Sequence, residues 1–162
     1  MARRSPSIED QLVPVRQGLT RLGRLLSSRR VHVGMAGAAG VELSEQAMNV
    51  LRALGDREEM PMGDLARAAH MDTGAVSRQV RVLEAEGLLH RRTSPQHRSI
   101  VLVEATPEGR DVARRFERVR NAQLTRALGE WTDEERAQLG SLLIRLVDDL
   151  MRTPYLRSDG ED

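Results

Sequence analysis

The 162 residues, 40% hydrophobic and 30% charged, suffice for one domain with helical extensions and have the balance of a helix-rich globular chain. With no cysteine, a disulfide framework, a thiol switch and a thiolate metal site are excluded, and a net charge of +1 does not by itself announce a nucleic-acid partner. No apolar run approaches membrane-spanning length and the start, MARRSPSIED, lacks a signal-peptide core, so a cytoplasmic location is expected.

Ile8, Leu12, Val15, Leu19, Leu22 and Leu26 recur at steps of four and three, an apolar seam within residues 8–33 that suits a partner helix. Ser7 precedes it as an N-cap. Pro14 lacks an amide donor and predicts a kink, or a regular helix that starts nearer Pro14. Gly34 to Gly40, GMAGAAG, reads as a flexible connector, because its glycines do not follow a strand pattern as a phosphate loop would require. Ser44 caps the next helix, whose apolar side is Ala47, Met48, Val50, Leu51 and Leu54 and whose end is Gly55-Asp56. Pro61 to Ala69 predicts a short helix with Met62, Leu65 and Ala66 inward. His70-Met71-Asp72 is then a turn, and Asp72 or Thr73 caps a further helix.

That further helix, from about Thr73 to Glu86, is the most informative segment. At about 100° per residue, Val76, Val80 and Leu83 share one side. Gly74, Ser77, Arg78 and Arg81 share the other, with Thr73 at its edge. Such residues usually line a solvated face, but a wing comes directly after them. Gly87 stops the helix, and residues 88–92 and 99–103 are strand candidates around the polar tip TSPQHR. From Leu88 to Val103 the charges are Arg91, Arg92 and Arg98, with His90 and His97 beside them and no acid. Helix, turn, helix and basic wing make a winged helix-turn-helix, whose second helix fits the DNA major groove.

Thr106-Pro107-Glu108 starts a long helix with the stripe Val112, Phe116, Val119, Gln123, Leu124 and Leu128, punctuated by Gly129. Thr132-Asp133-Glu134-Glu135 is a capping box. It opens a last helix with Leu139, Leu142, Leu143, Leu146, Val147 and Leu150 on one side, before a polar tail. Phe116, Trp131 and Tyr155 are the only aromatic residues, too few for a base-stacking platform, which favours duplex DNA over single strands. All 25 cationic residues are arginine, a residue suited to phosphate and guanine. Biased codon usage is the better account of this, since arginine also stands far from the wing.

The segments LSEQAMNVL (43–51), DLARAAHMDTGAVSRQVRVLEAEGLLHRR (64–92) and RSIVLVEATPEGRDV (98–112) resemble the MarR family of bacterial regulators, over about Leu12 to Leu150. The resemblance implies a mainly α fold, a winged helix-turn-helix with N- and C-terminal dimerisation helices, in a homodimer. It divides the chain into an N-terminal arm (1–43), a DNA-binding domain (44–105), C-terminal dimerisation helices (106–152) and a tail (153–162). Dimer contacts then fall on Leu12, Val15, Leu19, Leu22, Leu139, Leu143, Leu146 and Leu150. Thr73, Gly74, Ser77, Arg78 and Arg81 match the recognition surface, and Arg98 the wing arginine that enters the minor groove. Where the family commonly has acids before that arginine, this chain has Gln96-His97, and glutamine offers only a neutral hydrogen bond.

The function expected is a sequence-specific regulator of a near-palindromic duplex operator, a repressor in the sense the family implies, with no cofactor and no membrane. Arg91 and Arg92 would touch phosphate. A small aromatic or phenolic effector would bind near His32, Met35, Met48 and Arg120, although a buried histidine or methionine is more often plain packing. Two alternatives share the fold: a metal sensor using His32, His70, His90 and His97, whose spacing lacks a tight ligand pattern, and a protein-interaction module without DNA binding. An enzyme is not expected, since no nucleophile has a base partner and no cofactor fingerprint is present.

Overall fold

Seven helices and one small antiparallel sheet form the regular structure of the described residues, 7–55, 57 and 59–154, of a computed structural model. Asp56, Tyr155 and the tail from Arg157 onward, all singled out in the sequence, lie outside the described residues. The chain divides into two compact units, Met1–Arg120 and Asn121–Asp162. No helix of the described residues is long and apolar enough to cross a membrane.

The first helix, α1 (Ile8–Leu26), starts at a full capping box: the Ser7 hydroxyl accepts from Asp10 N at 3.2 Å and the Asp10 carboxylate accepts from Ser7 N at 3.1 Å. The helix therefore does not wait for Pro14 but runs through it. It ends at Ser27, and a second helix, α2 (Arg29–Ala39), occupies the stretch where the sequence predicts a glycine connector. Burial explains the difference. Met35 packs against the core and Ala36 and Ala39 are buried in it, which outweighs the roughly 1 kcal/mol that each interior glycine costs a helix. Gly40 alone behaves as punctuation, closing α2 in the left-handed region at φ 63° while Val41 N donates to Ala36 O at 2.9 Å.

Helix α3 (Glu45–Leu54) is capped by Ser44, whose hydroxyl accepts from Ala47 N at 3.1 Å. Strand β1 (Met60–Pro61) leads into α4 (Met62–Ala68), and α5 (Thr73–Ala85) comes after the turn. Strands β2 (Leu89–Thr93) and β3 (Val101–Ala105) pair antiparallel with Arg91 opposite Val103, and β1 adds to the far edge of β3. The core gathers Met48, Leu51 and Leu54 of α3, Leu65 of α4, Val76, Val80 and Leu83 of α5, and Leu89 and Val103 of the sheet, all fully buried. Each such side chain contributes about 1.5–3 kcal/mol of burial.

Helix α6 (Pro107–Ala127) is pinned to this core at its start. Thr106 Oγ1 accepts from Gly109 N at 3.0 Å and donates to Gly87 O at 2.9 Å. Gly109 is required there by space: a Cβ would overlap the Leu88 carbonyl oxygen and lie 3.0 Å from its carbon. Val112 and Phe116 then bury on the same core.

The second unit holds the end of α6 and α7 (Asp133–Arg152). Thr132 and Glu135 form the capping box expected from the sequence, and the Thr132 N–H and hydroxyl hold the Glu135 carboxyl below its ordinary range. Among the described residues of this unit none is buried.

Candidate nucleic-acid interface

Helix α5 is fixed from inside and capped from outside. Val76, Val80 and Leu83 are 0% exposed, so its rotation about its axis is set. Asp72 Oδ1 accepts from Ala75 N at 2.7 Å and closes the N-terminus. The preceding turn places His70 at φ 52°, a left-handed conformation that a non-glycine residue adopts at some cost.

With the inward side fixed, Thr73, Gly74, Arg78 and Arg81 are exposed and Ser77 is half-buried on the outward side. Gly74 leaves room for Arg78 to fold back: a Cβ there would lie 3.7 Å from Arg78 Nη1 and 3.2 Å from Asp72 Oδ1. Among the described residues neither Arg78 nor Arg81 has a hydrogen bond or ion pair. Their guanidinium groups are therefore available to phosphate or to the O6 and N7 edge of guanine. One neighbour escapes the sequence reading. Gln79 Nε2 donates to Gln46 Oε1 at 3.1 Å, tying α5 to the start of α3 across a separation in sequence that no local pattern reveals.

The wing tip is organised by Ser94, a buried polar residue. Its hydroxyl donates to Gln96 Oε1 at 3.1 Å and accepts from His97 N at 3.3 Å, while Ser94 N donates to Ile100 O at 2.9 Å. Gln96 thus braces the tip turn rather than Arg98, which is exposed and without a partner among the described residues. Arg91 and Arg92 are not free: Arg91 Nε donates to Glu84 Oε2 at 2.8 Å, and Arg92 pairs with Glu59. Arg91 holds the Glu84 carboxyl below its ordinary range.

The residues considered for an effector sit in different settings. His32 Nε2 lies 2.9 Å from Leu43 O, and its ring centroid is 6.2 Å from that of Phe116. Met35 is half-buried, whereas Met48 is 2% exposed and belongs to the core. Arg120 shares Glu117 with Arg52, at 3.3 and 2.6 Å. An open groove in the second unit is lined by other residues, among them Leu124, Leu128 and Arg136. Among the described residues, no group of three His, Asp or Glu could hold a metal ion.

The apolar seams of α1 and α7 lack cover. Leu12, Val15, Leu19 and Leu22 of α1 are 40–44% exposed, as are Leu143 and Leu150 of α7 at 40% and 59%. Leu139 and Leu146 are half-buried.

Residues 40–98, which hold α3 to α5 and most of the wing, match the model of the MarR family. The chain is 26% identical over 118 residues to the uncharacterised HTH-type transcriptional regulator YdgJ of Bacillus subtilis, covering 73% of this chain and 72% of that protein. It shares its fold with Streptococcus pneumoniae FabT in complex with DNA: 21% identity, 89% and 95% of the two chains, TM-score 0.61. A third similar structure is Bordetella bronchiseptica BpsR, whose DNA binding is regulated by 6-hydroxynicotinic acid: 25% identity, 78% and 98% of the chains, TM-score 0.57.

Proposed function

We propose that the chain is a helix-turn-helix transcriptional regulator of the MarR family, not an enzyme, and that it binds a near-palindromic duplex operator as a homodimer and represses transcription in the cytoplasm; the match of residues 40–98 to the family model and the likeness to YdgJ support this. Two copies of α5 enter successive major grooves, about one helical turn (~10 bp) apart. Arg78 and Arg81 read base edges, the N-terminus of α5 near Thr73 meets phosphate, and Gly74 and Ser77 allow close approach. Arg98 reaches from the wing into the minor groove, while Arg91 and Arg92 lie beside the phosphate backbone. The observation that carries this reading is that Arg78 and Arg81 stand on the outward side of a rotationally fixed helix without a partner among the described residues.

Dimerisation is assigned to the uncovered seams of α1 and α7, through Leu12, Val15, Leu19, Leu22, Leu139, Leu143, Leu146 and Leu150. Release from DNA is assigned to a small aromatic acid bound near His32, Met35 and Arg120. The regulation of BpsR by 6-hydroxynicotinic acid supports that class of effector. Such a ligand acts only through a different affinity for the DNA-competent and DNA-incompetent states. Met48, wholly within the core, contributes by packing.

The test is fluorescence anisotropy on duplexes selected from a random pool. Arg78→Ala is expected to weaken binding to the selected sequence by about 5- to 150-fold, the worth of one lost bidentate base contact, and to relax preference at one position of each half-site. Unchanged affinity and unchanged preference would refute the assignment.

A further inference from the structure

Glu84 is the only acidic residue of α5, and its position is unusual for an interface with a polyanion. At about 100° per residue it falls between Thr73 and Ser77 in projection, about 60° from Arg81. It therefore lies along the edge of the outward face, in the last turn of the helix. Free, it would repel phosphate. It is instead covered by Arg91 of β2, whose Nε and Nη2 both converge on the single oxygen Glu84 Oε2. Both side chains keep about a third of their surface exposed, 34% for Arg91 and 33% for Glu84, so solvent and any incoming anion can reach the pair. The contrast with Arg78, Arg81 and Arg98, which have no partner among the described residues, separates the cations of the candidate interface into those available and two that are held, Arg92 by Glu59 and Arg91 by Glu84 of α5 itself.

We propose that Glu84 sets the affinity of the interface by retaining Arg91 on the protein, so that a DNA phosphate gains this guanidinium only by displacing the carboxylate. The proposal rests on the DNA-binding reading above. An arginine paired to a carboxylate adds no net charge to the attraction of DNA and releases no counterion when the duplex docks. Without the carboxylate, the same guanidinium lies at the foot of the wing, one strand residue from His90, with an exposed face and no competing acid on α5. Glu84 thereby holds operator affinity below the maximum that the surface could give, which keeps binding reversible.

The experiment compares the wild-type protein, Glu84→Gln, Glu84→Ala and the double variant E84Q/R91A. Each is titrated with a selected duplex between about 50 and 200 mM salt, the range over which phosphate contacts are most visible. Glu84→Gln and Glu84→Ala are expected to bind tighter than wild type, by up to about 8-fold per protomer at about 0.1 M salt, with a log–log salt slope steeper by about 0.9 per protomer. The double variant has the wild-type net charge and is expected to return to the wild-type slope. Unchanged or weaker binding in both single variants overturns the proposal. So does a gain that persists in E84Q/R91A, because Arg91 would then not be the group released. Arg78→Ala serves as the separate check: if neither it nor the wild type shows sequence-dependent, salt-sensitive duplex binding, it is the DNA-binding reading that has failed.

Discussion

Gly109→Ala isolates the joint on which the winged unit is built. The new methyl would overlap the Leu88 carbonyl oxygen and approach Leu51 Cδ1 to 3.4 Å. That carbonyl is already engaged, accepting from Thr106 N at 3.0 Å, and Thr106 Oγ1 caps the Gly109 amide at 3.0 Å. Because the obstacle is backbone, relief requires α6 to lift from the Leu88 segment that leads into β2, not a side chain to rotate. Overpacking of this kind costs about 1–3 kcal/mol. The two hydrogen bonds disturbed with it are worth about 1 kcal/mol each. Against this stands a gain of roughly 1 kcal/mol from replacing glycine in a helix. The net expectation is a loss of about 2–4 kcal/mol. Urea unfolding monitored by circular dichroism is the assay, with a lower midpoint at unchanged m-value as the expected result. Gly37→Ala is the companion variant. Gly37 lies inside α2, and a Cβ added to it would meet nothing within 4 Å, so the substitution should stabilise by about 0.5–1 kcal/mol. A Gly109→Ala protein within about 0.5 kcal/mol of wild type, the scatter of harmless surface changes, would refute the reasoning.

Other consequences are as direct. Asp72→Ala removes the cap of α5 and should cost about 1 kcal/mol of stability by urea unfolding, with a parallel loss of operator affinity; a neutral result would mean that the cap does not hold the helix. The Glu84 carboxyl titrates below its ordinary value because Arg91 favours its charged form. Its contribution is therefore complete above the unfolded-state value of about 4.3 and is lost as pH falls through the lower folded value. Stability measured from about pH 6 down to about pH 3 should accordingly fall more in wild type than in Glu84→Gln, and equal falls would contradict the assignment. Leu19→Asp and Leu146→Asp should each give a monomer in sedimentation equilibrium, since a charge would stand in an apolar contact; a persistent dimer would remove those seams from the interface.

The elements are legible in the sequence wherever their signals are local. Ser7, Ser44, Asp72, Thr106 and Thr132 all announce helix starts, because a cap is a bond between residues three apart. Val76, Val80 and Leu83 fix the orientation of α5 by spacing alone. GMAGAAG reads as a connector only when glycine propensity is weighed without the burial of Ala36 and Ala39, which tertiary packing supplies. Strand β1 has two residues and so no periodicity to detect. The pairs Arg91–Glu84, Arg92–Glu59 and Gln79–Gln46 are equally hidden, because only folding brings α5, β2, α3 and the segment before β1 together. For the candidate site this matters most: the cations are visible in the sequence, but only the structure separates the held arginines from the available ones.

If the outward side of α5 lies against operator bases, bound DNA must shield it, and the absence of cysteine from the chain allows this to be tested at a single position. Ser77→Cys places one thiol on that side of the helix, and Ser141→Cys places one on α7 as a reference. The rate of alkylation of each thiol is measured with and without a selected duplex. DNA is expected to slow modification of the cysteine at position 77 in proportion to the fraction of protein bound, and to leave position 141 unchanged. Equal rates at position 77 with and without bound DNA would contradict the placement of α5 in the groove.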